Sequence, residues 1–309
     1  MQLSLSEDQA QILDAITSLS KPYASPPPDF REFVLTSDDL DQALADNGFL
    51  DVAFDPDLGL VTAALIVEQL ARLPYAVEAG ASALVRPLLG ELTRPVCLVE
   101  AVTPTGPVRF LKPGATVVVL GAEKVVSFAA EAGEVKPVES LYAYPVAMLT
   151  PGADVEARSI VHNVSPDEVR ARWRLALAIE IAGLLRAAID TTVTYVSERK
   201  QFGRPLGVFQ AVRHRLAEDH VLATGARWLA LKAAHSGDAG EAALAAYHAQ
   251  EAAARVAYDL HQFLGGMGMT LEHPLHLWTY RLKALVSDLG GAGAQGTDAA
   301  ALIWGGEAA

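Results

Sequence analysis

The hydrophobic positions change their spacing twice along the chain, and these changes divide the sequence into three segments. Residues 1–90 have a helical pattern that opens with SEDQAQILDAITSLS, in which Ser6 is a candidate N-cap followed by acidic residues. Over residues 91–162, short β-branched runs such as TVVVLGAEKVVSFAA are separated by Gly and Pro, as is typical of strands. Over residues 163–309, apolar residues recur every three or four positions. We therefore predict a mainly α protein with a small β middle domain, formed by an N-terminal helical domain, a β domain and a C-terminal helical bundle.

The longest predicted helix begins the third segment. Ser165 is its candidate N-cap, with Pro166 at the first helical position and Glu168 placed to complete a capping box. The residues that predict its buried face are Trp173, Leu177, Ile181, Leu184 and Ala188. Later alanine-rich stretches predict further helices over about 207–235, 239–263 and 274–287, with a short one after Gln295.

Composition and charge exclude several classes of function. The 309 residues are 51% hydrophobic and carry a formal net charge of −13, so we expect a folded core and no binding to nucleic acid or to anionic membranes. The single cysteine, Cys97, excludes a disulfide within the chain and a zinc site built from cysteines. The N-terminus has no signal-peptide pattern, and the most apolar stretch contains Glu180 and Arg186. These features favour a cytoplasmic protein without a membrane span.

Two motifs in the third segment carry the functional signal. The first is ERKQFGRPLGVFQAVRHRLAE, which contains Arg199, and the second is HQFLGGMGMTLEHPLHLWTYRLK, which contains Gln262 and a glycine turn. Their order and separation, together with the helical, β and helical succession, resemble the acyl-CoA dehydrogenase family. The resemblance implies that these segments bind FAD, and that much of the contact with its ADP half crosses a subunit interface.

The resemblance assigns FAD contacts to particular residues of these motifs. An arginine offers a forked cation to the pyrophosphate oxygens, glutamine amides donate hydrogen bonds without adding charge, and a phenylalanine covers an apolar part of the cofactor. Glycines let the backbone approach the pyrophosphate with no side chain in the way. The predicted cofactor-binding residues are Arg199, Gln201, Phe202, Gln210, Gln262, Gly265, Gly266 and Gly268.

The same residues also have purely structural interpretations, which the sequence leaves open. Arg199 can pair with Glu198 or Glu218, Phe202 can be a core residue, and the glycines at 265–268 can simply end a helix. The presence of both motifs in one chain favours contact with the cofactor.

The catalytic glutamate of the family has no counterpart in this sequence. The family removes the α-proton of an acyl-CoA thioester with a glutamate while the β-hydrogen leaves as hydride to the flavin, so a carboxylate must lie close to the substrate. Its more common position, in a Tyr-Glu-Gly-Thr-like stretch, falls on Gly290 or Gly291, and its other position, on the long helix, falls on Trp173. Neither glycine nor tryptophan can act as a base, so we predict no catalytic residue in this chain.

Two nearby carboxylates are the candidates for an altered chemistry. Glu180 lies two helical turns after the tryptophan on nearly the same face, and Asp288 precedes the glycines. We favour structural roles, with Glu180 paired to a basic residue across the bundle and Asp288 solvated or capping a helix. His214, His261 and His273 are likewise expected to be structural or exposed, without a metal site.

The middle domain also departs from the family. Its members carry a Thr-Glu-Pro-x-x-Gly-Ser-Asp-like stretch that contacts the flavin ring and a later Lys-x-x-Ile-Thr-Asn-like stretch. The corresponding segments here read VEAVTPTGPVRF and LGAEKVVSFAA, in which Glu100 and Pro104 are weak similarities. We therefore expect the flavin-ring contacts to come from another chain.

A chain with one half of the cofactor machinery resembles the shortened, degenerate subunit of heteromeric bacterial acyl-CoA dehydrogenases, notably those assigned to steroid breakdown. The resemblance implies a hetero-oligomer, such as a heterotetramer, in which a fuller acyl-CoA dehydrogenase subunit supplies the catalytic glutamate and this chain the ADP-side contacts. The α,β-dehydrogenation of an acyl-CoA substrate, in lipid or steroid metabolism, would then belong to the complex. An electron-transferring flavoprotein is the implied electron acceptor.

Two alternatives stay open at this point. The chain can be a homomeric flavoprotein, or a protein that binds CoA thioesters, with altered chemistry at Glu180 or Asp288. It can also be a purely structural subunit, against which the retained Arg199 and the glycine motif argue. The acyl chain of the substrate has no sequence code, because scattered apolar side chains shape such pockets.

Overall fold

The computed structural model describes residues 4–305, and its order of helices, strands and helices confirms the predicted fold class. The helices are α1 (Glu7–Ser20), α2 (Asp38–Asp46), α3 (Gly59–Ala71), α4 (Arg86–Leu89), α5 (Val155–Arg158), α6 (Pro166–Glu198), α7 (Gln210–Ser236), α8 (Ala239–Leu264), α9 (His276–Leu285) and α10 (Gly291–Trp304). The strands are β1 (Val96–Val99), β2 (Val108–Arg109), β3 (Thr116–Leu120), β4 (Val125–Ala129), β5 (Val135–Val138), β6 (Val146–Leu149), β7 (Ile160–His162), β8 (Lys200–Gln201) and β9 (Arg204–Pro205). Between residues 4 and 305, none of the helices combines the length and hydrophobicity that a membrane crossing requires.

The helix ends agree in part with the predicted caps. The Ser6 hydroxyl accepts a hydrogen bond from the Gln9 backbone N–H at 3.2 Å, and the Gln9 side chain accepts one from the Ser6 N–H at 3.1 Å, so α1 begins with a capping box. Ser165 caps α6, but its hydroxyl accepts from the Asp167 N–H, and the capping box predicted with Glu168 does not form. The Glu168 N–H instead bonds the Ser165 carbonyl oxygen at 3.1 Å, as a helix backbone does.

The final helix starts earlier than its glycines suggested. We expected a short helix after Gln295, whereas α10 begins at Gly291. The buried Gln295 amide donates to the carbonyl of Leu289 and its side-chain oxygen accepts from Arg174 at 2.6 Å. These tertiary bonds fix the start of the helix, so the low helix propensity of the glycines does not decide it.

Helix α6 forms the centre of the C-terminal bundle. The five positions predicted to face the core are all buried, and most of the remaining helix surface is buried as well, because α3, α7, α8 and α9 pack around it. Gly183 allows the closest approach, since a Cβ there would lie 2.4 Å from the Glu68 carbonyl oxygen of α3. The N-terminal and C-terminal helices therefore share one hydrophobic core.

Buried polar groups of α9 join the two helical parts. The Arg281 side chain is 2% exposed and donates to the carbonyl oxygens of Leu73 at 2.6 Å and Tyr75 at 3.0 Å. The Trp278 indole N–H donates to the Arg72 carbonyl at 3.0 Å. These bonds satisfy backbone carbonyls after α3 that would otherwise be buried without partners.

The middle segment forms two small sheets around its own apolar core. The first sheet has the order β1-β3-β4-β7, with β1 parallel to β3 and the other pairs antiparallel, and Val96 lies opposite Thr116. The second sheet has the antiparallel order β2-β6-β5. Side chains such as Val117, Phe128 and Leu149 form the separate core between them. The strand β2 also carries Arg109 towards the helical bundle.

Candidate cofactor and substrate site

A cavity of about 570 Å³ lies where the first helices, the β unit and the C-terminal bundle meet. The segment 77–81, strand β1 and the loop 101–107 form one side, and α6 with the turn before α10 forms the other. Its volume is in the range of small-molecule sites. The cavity is therefore the candidate substrate site.

Both positions that lack the family's base face this cavity. Trp173 of α6 and Gly290 of the turn before α10 are among its lining residues. Trp173 is 8% exposed and supplies an apolar wall, whereas Gly290 supplies only backbone. Neither position carries a group that can remove a proton.

An ion-pair cluster occupies the wall between these two positions. The Arg109 guanidinium lies 2.6 Å from the Asp288 carboxylate and 3.6 Å from the Glu180 carboxylate. The Tyr144 hydroxyl donates to Glu180 at 2.6 Å, and the Arg109 guanidinium lies 5.1 Å from the centre of the Tyr144 ring. These four side chains are called the Arg109 cluster below.

Burial and neighbouring charges shift the pKa values of Asp288, Arg109 and Tyr144 in the Arg109 cluster. Burial raises the pKa of the Asp288 carboxyl, and the Arg109 charge opposes that rise. Burial lowers the pKa of Arg109, but Asp288 and Glu180 outweigh it and hold that pKa above its ordinary value. Burial also raises the pKa of the Tyr144 hydroxyl, so this group is a donor at neutral pH. Both carboxylates contact the Arg109 guanidinium, and Glu180 also accepts from the Tyr144 hydroxyl, so each has a partner within the chain.

The predicted roles of the two carboxylates need correction. Glu180 was expected to pair across the helical bundle, but its partners Arg109 and Tyr144 come from the β unit. Asp288 was expected to be solvated or to cap a helix, but it is paired with Arg109 and its side chain is 22% exposed. The reason in both cases is that β2 places Arg109 directly against the bundle.

The turn before α10 has an unusual backbone. Leu289, Gly290 and Gly291 all have positive φ, at 54°, 82° and 73°. For leucine this conformation costs about 1 kcal/mol or more, so surrounding bonds must hold it. The Gln250 amide donates to the carbonyls of Leu285 and Asp288, both at 2.9 Å. The turn is thus fixed in the shape that carries Asp288 to Arg109.

The first cofactor motif forms a two-residue hairpin between α6 and α7. Gln201 pairs with Arg204, and the loop residues Phe202 and Gly203 have φ of 53° and 80°, as a tight hairpin turn requires. Phe202 is 87% exposed, so its structural interpretation as a core residue is wrong. The Phe202 ring has an edge contact with the Phe209 ring, with centroids 6.1 Å apart, and otherwise faces solvent.

The glycine motif forms a turn at the end of α8. Gly265 has φ 57° and ψ −131°, a conformation that side chains essentially exclude, and a Cβ at Gly265 or Gly266 would meet no protein atom within 4 Å. Both residues are exposed. Gly268 is buried instead, and a Cβ there would lie 3.0 Å from the His261 carbonyl oxygen. The turn therefore offers open backbone at Gly265 and Gly266 and is packed down at Gly268.

The hairpin and the glycine turn lie at the same end of the bundle. Helices α6, α7 and α8 run alternately up and down, so the end of α6, the start of α7 and the end of α8 are adjacent. The Tyr195 ring of α6 contacts the His273 ring after the glycine turn, with centroids 5.3 Å apart. The exposed predicted residues at this end are Arg199, Gln201, Phe202, Gln210, Gln262, Gly265 and Gly266.

Arg199 is available for an anionic ligand. Over residues 4–305 no carboxylate lies within ion-pair distance of its guanidinium, and Glu218 is engaged by Arg215 and Arg255 at 3.0 Å and 2.6 Å. Pairing of Arg199 with Glu218, one of its structural interpretations, is therefore excluded. An unpaired guanidinium at the same end of the bundle as an open glycine turn fits a pyrophosphate.

The candidate histidines have structural surroundings. His214 is exposed, and the His273 Nδ1 accepts a hydrogen bond from the Leu275 N–H at 3.2 Å. Within the described part of the chain, no three His, Cys, Asp or Glu side chains group as metal ligands. His261 bonds the glycine turn and α9.

Arg109 and Tyr144 are the site residues that the sequence did not indicate. Arg109 lies on a strand of two residues and meets a partner 179 positions away in sequence. The one available signal was an arginine inside the apolar run around VRF, where a cation needs a partner. Glu100, a weak similarity to the family's flavin-contacting stretch, pairs with Arg170 at 2.9 Å and is not free.

Comparison with known sequences identifies the family. The acyl-CoA dehydrogenase C-terminal domain matches residues 171–293. The acyl-CoA dehydrogenase IpdE2 of Mycobacterium tuberculosis is 30% identical over 236 residues, which cover 72% of this chain and 71% of that protein. The chain therefore belongs to the acyl-CoA dehydrogenase family. The acyl-CoA dehydrogenase FadE34 of the same organism is 39% identical over 140 residues, which are 43% of this chain and only 20% of that protein.

Solved structures share the fold over nearly the whole chain. A Tcur3481-Tcur3483 steroid acyl-CoA dehydrogenase variant has a TM-score of 0.75 at 23% identity and covers 99% of this chain and 100% of its own. The ChsE4-ChsE5 complex from Mycobacterium tuberculosis has a TM-score of 0.70 at 20% identity, covering 96% and 97%. FAD is the cofactor of the family, and another structure of this fold is an FAD complex. When bound, FAD supplies the hydride acceptor for dehydrogenation.

Proposed function

We propose that this chain is one subunit of a heteromeric FAD-dependent acyl-CoA dehydrogenase that acts on a CoA thioester of steroid origin. In this proposal its hairpin and glycine turn bind the ADP half of FAD, and a fuller partner subunit supplies the catalytic glutamate and the flavin-ring contacts. Electrons would leave to an electron-transferring flavoprotein.

The observation that carries the proposal is the contrast between the two ends of the site. At one end Arg199 is exposed and has no carboxylate partner within residues 4–305, and the open glycine turn lies at the same end of the bundle. At the other end Trp173 and Gly290 replace the base, and Arg109 neutralises the carboxylates that could substitute for it. A chain that keeps cofactor-binding residues but lacks a catalytic base is expected of a subunit that completes the active site of a partner.

The similar structures support the hetero-oligomeric part of the proposal. Two of them are named as pairs of unlike chains, and one of these is called a steroid enzyme. The exposed, strained Phe202 also favours a contact that forms on assembly. The arrangement as a heterotetramer is part of the same proposal.

The test is to express the chain alone and together with a fuller acyl-CoA dehydrogenase subunit of the same organism. We expect flavin absorbance and a larger oligomeric mass only in the second case. In the complex, Arg199→Met should lower flavin occupancy, whereas Arg186→Met, which removes an exposed arginine from the same helix, should leave it unchanged. Full flavin occupancy with acyl-CoA dehydrogenation by the chain alone would overturn the proposal.

A second candidate is a homomeric flavoprotein with altered chemistry, because Glu180 and Asp288 do line the cavity. It predicts that Glu180→Gln or Asp288→Asn abolishes turnover of the isolated chain. The leading proposal predicts that Glu180→Gln retains turnover of the complex within about threefold, as expected when a hydrogen-bond acceptor is kept and no proton transfer is lost. If Arg199→Met leaves flavin content of the complex unchanged, the chain is instead a structural subunit.

A further inference from the structure

The ring of His261 connects the glycine turn to the neighbouring helix. Its Nδ1 lies 2.7 Å from the carbonyl oxygen of Gly268, and its Nε2 lies 2.9 Å from the hydroxyl of Thr279 in α9. The ring also stacks on Tyr280, with centroids 6.1 Å apart and planes inclined by 19°. His261 therefore contacts both the turn and the helix that supports it.

The bonding partners determine the proton positions on this ring. The Gly268 carbonyl can only accept, so Nδ1 carries the hydrogen and donates to it. In the neutral ring Nε2 can only accept, so the single hydrogen of the Thr279 hydroxyl is shared between Nε2 at 2.9 Å and the Leu275 carbonyl at 3.1 Å. Burial lowers the pKa of His261, which favours this neutral form. The bond to the Gly268 carbonyl is therefore the contact of this ring whose direction is fixed.

The hydrogen bond from His261 fixes the position of the Gly268 carbonyl in the glycine turn. Gly268 has no Cβ and packs against the His261 backbone, where a side chain would lie 3.0 Å from the carbonyl oxygen. The two exposed glycines, Gly265 and Gly266, have no side chain to pack, and the Gly265 N–H bonds the carbonyls of His261 and Gln262 at the end of α8. The turn is thus anchored at its start by the last residues of α8 and after Gly266 by the bond between His261 and the Gly268 carbonyl.

We propose that His261 is a positioning residue that holds the glycine turn in the conformation that receives the FAD pyrophosphate. This inference rests on the proposed function, and it gives a binding role to a histidine that touches no part of the cofactor. Without the Nδ1–H bond the turn would sample other conformations, and the cofactor would have to select the competent one at a cost in affinity.

The experiment uses the co-expressed complex and three variants. His261→Phe keeps a ring but removes both hydrogen bonds, His261→Asn keeps a donor near the position of Nδ1, and His248→Phe is the matched control. His248 lies earlier in the same helix and bonds the Leu222 carbonyl at 3.1 Å, far from the turn in sequence. Amide hydrogen exchange of residues 262–270 is measured on the flavin-free chain, and the FAD dissociation constant is measured on the complex.

We expect His261→Phe to speed exchange in the turn and to weaken FAD about five- to tenfold, as the loss of one net hydrogen bond predicts. His261→Asn and His248→Phe should stay within about twofold of the unaltered complex, because one keeps the Gly268 bond and the other does not touch it. Unchanged exchange in His261→Phe overturns the inference, and so does faster exchange with unchanged FAD affinity.

The same data separate this inference from the proposed function. If Arg199→Met loses FAD while His261→Phe keeps full affinity, the inference fails and the proposed function stands. If no assembly of the unaltered chain binds FAD, the proposed function fails, and the role of His261 towards the cofactor fails with it.

Discussion

Removal of the Arg109 cation is the most informative single perturbation of the cavity. Arg109 lies between two carboxylates, at 2.6 Å from Asp288 and 3.6 Å from Glu180, and the three side chains are 14–24% exposed. Arg109→Met keeps the length of the side chain and deletes the charge. The variant therefore leaves two carboxylates in one cavity wall without a cation.

The size of the effect follows from these distances. At an effective dielectric constant of about 20, each attraction amounts to roughly 5–6 kcal/mol before desolvation is counted. Because a buried charge that loses its partner is left uncompensated, the expected net loss of unfolding free energy is ~3–5 kcal/mol. The exposed pair of Arg170 and Glu100, at 2.9 Å, provides the control, and Arg170→Met should cost less than about 1 kcal/mol.

Denaturant unfolding at pH 6 and pH 8 measures this effect. Burial raises the pKa of Asp288 and the Arg109 charge opposes that rise, so without Arg109 the buried carboxyl takes up a proton more readily and the stability of Arg109→Met should rise as the pH falls. The double variant Arg109→Met with Asp288→Asn should recover part of the loss at pH 8. A loss no larger than that of Arg170→Met, with no pH dependence, would refute the view that Arg109 neutralises the cavity.

Three further predictions concern other parts of the chain. Burial, together with Asp259, raises the pKa of Asp219 to about 7, so the stability that its protonated form contributes is lost as the pH rises from about 4 to 7. At pH 8, Asp219→Asn should therefore raise the free energy of unfolding by at least ~1 kcal/mol and shift the denaturant midpoint upwards. A lower midpoint at pH 8 would contradict the argument. Phe202→Gly should leave the chain equally stable or ~1 kcal/mol more stable in thermal unfolding while weakening FAD in the complex, because it removes backbone strain and an exposed ring. Gly183→Ala should destabilise the chain by ~1–3 kcal/mol, since its methyl group would lie 2.4 Å from the Glu68 carbonyl, and a neutral result in the same assay would show that α3 moves freely.

The sequence predicted those features that depend on local pattern or on motif spacing. The periodicity of α6 located its buried face. The family resemblance led to Trp173 and to Gly290 or Gly291, and of these Trp173 and Gly290 line the cavity. The free state of Arg199 could not be predicted in this way. It depends on which carboxylates of α7 and α8 are already paired, and this is a property of the packed bundle.

The features that were missed depend on contacts between distant segments. Arg109 meets Asp288 only because two small strands place it against the bundle, and no local pattern encodes that contact. The start of α10 at Gly291 depends on bonds of Gln295 to Arg174 and Leu289, which override the preference of glycine for turns. Gly268 resembles its neighbours in the motif, yet its backbone faces His261.

The backbone of the turn before α10 also restricts how the chain can evolve. A glutamate at Gly290 would need φ of 82° and would place its Cβ 2.9 Å from the Cβ of Ala294. A glutamate at Gly291 would need φ of 73° and would place its Cβ 3.1 Å from the Val286 carbonyl oxygen. At Gly290, which lines the cavity, the new carboxylate would join Asp288 and Glu180 beside a single arginine. A single codon change at either glycine therefore strains the turn, and in the proposed heteromer the need for a base from the partner becomes difficult to reverse.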